Sequence, residues 1–582
     1  MVLSVVGIKR SGILCLTSFF CVLSLLSGCR SDSRSGNERV RTWMMTELRF
    51  ESSTDYSSGG SENILLDVTF THPRSGETLV RPAFWDGGNA FMVRFAPTRE
   101  WKWRWETSCP QDESLDGLKG RLACVKYDGD LAVYKHGFVR VEPGKKYMTY
   151  ADGTPFFYLG DTHWGMYTEE FDDPGPHAGN TGVESHFKYI VDRRVKQGFT
   201  VYQSEPISAF FSLTDGKVDS EDIEGFRKAD QYYRYIADAG LVHANAEFFF
   251  SYAMTPELAS DDKALEAISR YWVARFGAFP VMWTLGQEID NDLYHELGHQ
   301  KFYDRLTNPW VKAAEYLHKH DAYSHPLSGH QENAFHTTVT GRSIGGGDEY
   351  ASAFVSEEVA ARTGHNWWAV QWSPSLTDPV NSELVKDYWE SSRPAINFEG
   401  RYCGLWTKDF GARAQGWISF LSGFSGYGYG AIDIWLYKSN YDVDNQSTDG
   451  IDTITPEDKK THWSVSVEYP SANQMIHLRS FLESLDWWNL VPVLPGDEAF
   501  QPRSKAYVYA RTPNTHLLYF FANSIDTGEI TDIQPGKALK ATWYNPRVGE
   551  RLAPVDVAAG QDGRLSLPDK PDNEDWVLMI SE

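Results

Sequence analysis

From about Tyr147 the chain repeats one alternation, a short apolar run of strand character followed by a segment of helical spacing. Phe156–Leu159 precedes a helix-like stretch at Glu184–Gln197, and Phe199–Gln203 precedes another at Gln231–Ala239. Val242–Glu247 leads into Lys263–Phe276, and Val281–Leu285 follows. Pro326–His330, Trp368–Trp372, Ala395–Phe398 and Tyr427–Ile432 bring the strand candidates to about eight. Strands separated by helices predict parallel pairing with right-handed crossovers, and eight such units predict a closed (β/α)8 TIM barrel over residues 146–490.

The flanks read differently. Over residues 40–145, Ile64–Phe70 is β-rich, Trp85-Asp86-Gly87-Gly88-Asn89 is turn chemistry, and Trp101-Lys102-Trp103-Arg104-Trp105 alternates strictly. Period two puts the three indoles on one sheet face, where core packing is the expectation. Residues 491–582 return to strands, with Ala506–Ala510, Leu517–Asn523, Ala541–Tyr544 and Trp576–Ile580 as candidates. The expected fold class is multidomain, a central barrel flanked by an N-terminal β-sandwich and a small C-terminal β-sandwich.

Residues 1–28 read as a lipoprotein signal peptide. Lys9 and Arg10 precede an apolar run from Ile13 to Leu26 that is too short to span ~30 Å of hydrocarbon comfortably. Leu26-Ser27-Gly28-Cys29 resembles a bacterial lipobox, which makes Cys29 the lipidated residue and 29–39 a tether. The expected product is an exported bacterial lipoprotein, held on the membrane by its lipid, in the periplasm or at the cell surface. Of six Cys, three remain beyond that point. Cys109 and Cys124 flank a polar loop and are read evenly as a disulfide or as two free thiols. With 55 Lys and Arg against 79 Asp and Glu, the net charge of −24 opposes nucleic-acid binding. A local basic pocket for an acidic sugar stays compatible with it. The oligomeric state is open.

Barrel active sites lie at the carboxyl ends of the strands, so the polar residues just after each apolar run are the candidates. They are Asp161 and His163; Gln203 and Glu205; Glu247; Gln287 and Glu288; His330; Gln371 and Trp372; Glu399 and Tyr402; and Tyr429 and Trp435. Carboxylates, amides and aromatics dominate. No nucleophile elbow, phosphate loop, dinucleotide fingerprint or zinc-protease helix is present, and no ligand spacing supports a metal or another cofactor. Such a ring suits sugars, with polar groups for hydroxyls and ring faces for C–H groups. Glu288 ends the fourth strand candidate and Glu399 the seventh, across the mouth from each other. Glycoside hydrolysis needs two flanking carboxyls, and a retaining pair sits ~5–5.5 Å apart. This assigns Glu288 as acid/base and Glu399 as nucleophile. Glu205 and Glu247 compete for the acid role if the strand count is off by one. Asp161 could bind a sugar hydroxyl or cap a helix.

Phe156–Trp164 (FFYLGDTHW), Trp283–Glu288 (WTLGQE), Pro394–Tyr402 (PAINFEGRY) and Ser425–Trp435 (SGYGYGAIDIW) resemble the apiosidase-like (β/α)8 glycoside hydrolases of bacteria. Phe84–Trp105 resembles the β-sandwich that often precedes that barrel, and Ala541–Glu550 the collagen-binding-like β-domain that often follows it. The resemblance implies acid/base chemistry after the fourth strand and a nucleophile after the seventh, the positions of Glu288 and Glu399. Many members resemble Gly-Gly-Asp where this chain has Gly286-Gln287-Glu288, so apiose is not carried over as the substrate. The expected activity is retaining hydrolysis of a complex polysaccharide or its oligosaccharides. The alternative is a non-catalytic glycan-binding lipoprotein on a degenerate barrel.

Overall fold

The computed structural model describes residues 39–165, 171–172, 183–204, 217–246, 256–284, 309–328, 330–331, 365–367, 394–405, 407–434, 462–493, 504, 506, 508–522 and 525–582. The protein is multidomain, with sheet domains at both ends of a central α/β region.

The N-terminal domain has two sheets. One runs in the order 39–41, 119–125, 101–108, 67–71, 78–82, and the other in the order 46–51, 90–95, 84–85. Phe50, Val68, Phe70, Phe91, Val93, Phe95 and Trp103 fill the space between them. The indole row is only partly internal. Trp103 has no exposure, but Trp101 is 46 % exposed. Its backbone takes φ 103° at the start of the strand, and Arg74 lies 3.7 Å above its ring. Cys109 and Cys124 are separate buried thiols. Burial pushes the Cys124 thiol up to about 12, which keeps it protonated.

The central region contains β1 (Tyr158–Thr162), β2 (Val201–Ser204), β3 (Val242–Ala246), β4 (Val281–Thr284), β5 (Leu327–Ser328), β6 (His330–Gln331), β7 (His365–Trp367), β8 (Ala395–Asn397) and β9 (Gly426–Tyr429). Every pairing among them is parallel, in the spatial order β5-β4-β3-β2-β1-β9-β8-β7-β6. Only Gly329 separates β5 from β6 in the chain. The strand expected at Trp368–Trp372 lies outside the described residues; β7 immediately precedes that stretch. Helices α1 (His186–Lys196), α2 (Ser220–Asp238), α3 (Asp262–Phe276), α4 (Pro309–His320), α5 (Asp409–Leu421) and α6 (Pro470–Glu483) cover the sheet. None of the described helices is long and apolar enough to cross a membrane.

Helix α2 illustrates the local logic. Asp219 accepts hydrogen bonds from the N–H groups of Glu221 and Asp222, and the Asp222 carboxylate accepts one from the Asp219 N–H, a reciprocal cap. Ile223, Phe226, Tyr233 and Ile236 then recur at helical spacing and are buried. Burying a side chain such as Phe226 contributes about 1.5–3 kcal/mol. Reading from the sequence started this helix eleven residues late (231 − 220), because its first turns are dominated by charged residues. Helix α5 is buried from Gly411 to Leu421. It is buried on all sides because it lies between the central sheet and the C-terminal sheet, where Trp417 packs with Tyr427, Leu517 and Tyr519.

The C-terminal sheet orders its strands as 491–493, 508–511, 515–520, 576–581, 538–545, 550–551, with 555–558 also on 538–545. Buried ion pairs join the flanking domains to the centre. Arg94 of the N-terminal domain grips Asp230 of α2 through 2.7 and 2.6 Å bonds, and Arg275 of α3 adds a 2.7 Å bond. Burial alone would lift the Asp230 carboxyl, but the two guanidinium groups outweigh it and hold it at about 2. Arg413 of α5 likewise pairs with Asp575 of the C-terminal sheet at 2.8 Å.

Candidate functional site

Side chains alternate across each strand, and this decides which residues meet. Tyr158, Val201, Val242, Ala244, Met282, Ile396 and Phe398 form one cluster on the inner face. Leu159, Tyr427 and Tyr429 belong to the outer layer with α1, α5 and α6. The same parity carries past the end of β1. Asp161 and His163 point outward, and Trp164 points inward against Phe398, with ring centroids 5.7 Å apart.

Asp161 therefore does not line the inner face. Its carboxylate accepts a 2.8 Å bond from Arg194 Nε of α1, and both side chains are 1 % exposed. His163 packs on Tyr202 at 4.9 Å. Burial, then the neighbouring His186 and Arg194, hold His163 well below its ordinary value, so it is a neutral packing residue. Tyr429 also faces outward, its hydroxyl 3.0 Å from Ser471 Oγ of α6. Ser204 and His243 touch at 2.6 Å on this outer side, and burial takes His243 down to about 3. All these polar groups were read as mouth residues, or passed over, because the sequence does not mark where strand parity turns outward.

Gln203 faces inward and is fully buried. Its Nε2 donates to the Phe398 carbonyl at 2.8 Å, and Tyr158 donates to its Oε1 at 3.1 Å. A Cβ at Gly160 or Gly428 would collide with its carboxamide or with the Phe398 carbonyl, so both glycines are needed for this close approach. Expected to contact sugar, Gln203 instead clamps the backbone next to Glu399.

Glu399 follows β8 and is 2 % exposed. A buried carboxylate is costly unless donors meet it, and two converge on Oε1. Tyr402 donates through its hydroxyl in a short hydrogen bond. Trp164 Nε1 lies 2.9 Å from the Tyr402 hydroxyl and 3.4 Å from Glu399 Oε1. An indole N–H can only donate, so it biases the phenol proton toward the carboxylate. The loop holding Glu399 and Tyr402 is stitched to β9 and to the residue just after it. Gly400 N–H bonds to the Gly428 carbonyl at 2.9 Å, and Cys403 N–H to the Gly430 carbonyl at 2.9 Å. The structure thus brings together Glu399, Tyr402 and Trp164, with Gln203 behind them. Trp164 was absent from the candidate list, although its period-two relation to Tyr158 and Thr162 could have located it.

Glu288, Gln287, Glu205, Glu247, Gln371, Trp372, Trp435 and Cys29 lie outside the described residues, and only the backbone of His330 is described. Among the described residues no group of three or more His, Cys, Asp or Glu is placed to hold a metal ion.

The apiosidase-like catalytic-domain family matches residues 142–489. The chain belongs to the apiosidase-like family. Residues 39–110 match a domain of unknown function, DUF5060. A solved candidate glycoside hydrolase from Bacteroides vulgatus superposes with a TM-score of 0.64 at 17% identity, covering 94% of this chain and 100% of that one. A glycoside hydrolase family 5 structure from the same organism gives 0.52 at 17% identity, over 77% and 94% of the two chains. Another glycoside hydrolase gives 0.52 at 16%, over 77% and 98%. At these identities the likeness is one of fold, and this apiosidase-like chain has the glycoside-hydrolase fold. No curated protein matches the sequence.

Proposed function

We propose that this protein is a retaining glycoside hydrolase of complex polysaccharides or their oligosaccharides, with Glu399 as nucleophile and Glu288 as acid/base. The observation that carries this is the dry Glu399 carboxylate, fixed on one oxygen by Tyr402 and Trp164 at the end of β8. Closure as a (β/α)8 barrel is part of the proposal. The parallel pairings, β1 to β9 and the near-continuity of β5 with β6, support it. In such a barrel Glu399 and the residue after β4 face one mouth.

Glu399 attacks the anomeric carbon while protonated Glu288 donates its proton to the departing glycosidic oxygen. Glu288, now ionised, then takes a proton from water, which attacks the same carbon and releases Glu399. Hydrogen bonds from Tyr402 and Trp164 to one carboxylate oxygen limit rotation about the side chain and orient the carboxylate. A screen of plant and algal polysaccharides for released reducing sugar identifies the substrate. Wild type is active there, and Glu288→Gln and Glu399→Gln are not; full activity in both variants ends the assignment. Proton NMR of the first product tests retention of the anomer. We also propose lipidation at Cys29 of an exported chain, checked by loss of labelled fatty acid in Cys29→Ala.

A further inference from the structure

The C-terminal sheet carries a cavity of about 420 Å³, apart from the site described above. Small-molecule sites typically enclose about 300–1,000 Å³. Two turns form its walls. In the first, Thr512 Oγ1 accepts from the N–H groups of Asn514 and Thr515 at 3.3 and 3.1 Å, which presents Asn514 at the tip. In the second, Asp532 takes φ 65° and the Lys537 N–H closes on the Gln534 carbonyl at 3.0 Å. Arg511 Nη1 bridges the walls to Asp532 at 3.1 Å. Ile533 and Leu539, both buried, line the apolar part.

Charge decides what such a cavity can hold. Its two cations already face carboxylates, Arg511 with Asp532 at 3.1 Å and Lys537 with Glu582 at 2.7 Å. A phosphate or carboxylate would meet Asp532 at the wall. What remains is a set of planar groups, the carboxamides of Asn514 and Gln534 beside the Arg511–Asp532 pair, over aliphatic surface. Those groups offer donors and acceptors together at an electrically balanced surface. A ring bearing hydroxyls on one edge and C–H groups on its face matches both features.

We infer that this cavity is an ancillary binding site for one unit of a neutral glycan. It rests on the proposed hydrolase reading for the ligand class alone, since no step of the reaction passes through it. The test uses the full chain carrying Glu399→Gln, titrated by calorimetry with cellohexaose, xylohexaose and mannohexaose, and with tetragalacturonate as the acidic control. At least one neutral probe binds, and Asn514→Ala and Gln534→Ala each weaken it by about tenfold, the loss of a hydrogen bond or two. Binding changes little between about 50 and 500 mM salt. Both substituted side chains are exposed, and an unchanged melting temperature verifies the fold. The inference is overturned if no neutral probe binds, if binding survives both substitutions, or if only the galacturonate binds and does so salt-dependently. Should Glu399→Gln still cleave the probes, the catalytic assignment fails while the cavity can still be judged by the two substitutions.

Discussion

Asp161 and Glu399 are buried carboxylates of the same parallel sheet, 1 % and 2 % exposed, and their surroundings are built on different principles. Asp161 looks outward and meets a guanidinium, Arg194 Nε at 2.8 Å, which is itself anchored to Gln197 and to the Val467 carbonyl. Glu399 receives a phenol and an indole. An ion pair cancels charge and joins a strand to a helix; the phenol and the indole fix one oxygen through neutral hydrogen bonds. The first arrangement ties a strand to a helix; the second is the one on which the proposed nucleophile rests. Both residues follow apolar runs, so strand position alone does not tell them apart.

The largest expected effect breaks them apart. Glu399→Gln lowers kcat by at least ~10⁴-fold, the scale of losing a group that reacts. It keeps the shape and both donors, so the melting temperature stays near wild type. An equal loss of activity and stability would mean that Glu399 is a packing residue.

Asp161→Asn is the mirror experiment. It strands Arg194 in a buried site, and breaking such a pair costs about 3–5 kcal/mol. Urea unfolding registers that cost, while the folded fraction retains kcat. A large fall in kcat at unchanged stability would return Asp161 to the mouth.

Asp230 extends the ion-pair class with two guanidinium partners. Its carboxyl is held at about 2, below the ordinary 3.8, so the folded state keeps the ionised form. Its contribution is complete above pH ~4 and is lost as the pH falls toward 2, about 2 kcal/mol in all. Wild type minus Asp230→Asn stability, followed by denaturant titration from neutral to acid pH, shrinks over that window. A flat difference would mean that the arginines do not act on Asp230 by charge.

Much of this architecture is legible in the sequence, because alternation of strand and helix runs needs only hydrophobic period. The order of motifs around Phe156, Trp283, Pro394 and Ser425 points to the family whose match spans residues 142–489. Inside the site the reading stops at parity. A one-residue change of phase exchanges mouth for helix layer, and Asp161, His163 and Tyr429 fell on the wrong side of it. Gln203 looked like a sugar ligand because a carboxamide after a strand is generic. Its true partner, the Phe398 carbonyl, lies 195 residues away and is reachable only because Gly160 and Gly428 stand beside it. Trp101, at the start of its strand, is 46 % exposed where Trp103 is buried, a difference alternation does not encode.

The smallest effect separates the two donors on Glu399. Tyr402→Phe removes the short hydrogen bond and lowers kcat about tenfold, with little change in KM, as for a lost bond to a charged group. Trp164→Phe removes the indole N–H, which lies closer to the Tyr402 hydroxyl (2.9 Å) than to Glu399 (3.4 Å). If the indole works by aiming the phenol proton, Trp164→Phe costs only about threefold, and the double variant is no slower than Tyr402→Phe alone. Multiplication of the two losses would place the indole directly on the carboxylate, as an independent donor. Either result reports on Glu399 through kcat, whereas two packing residues would lower the melting temperature and leave the rate per folded molecule alone.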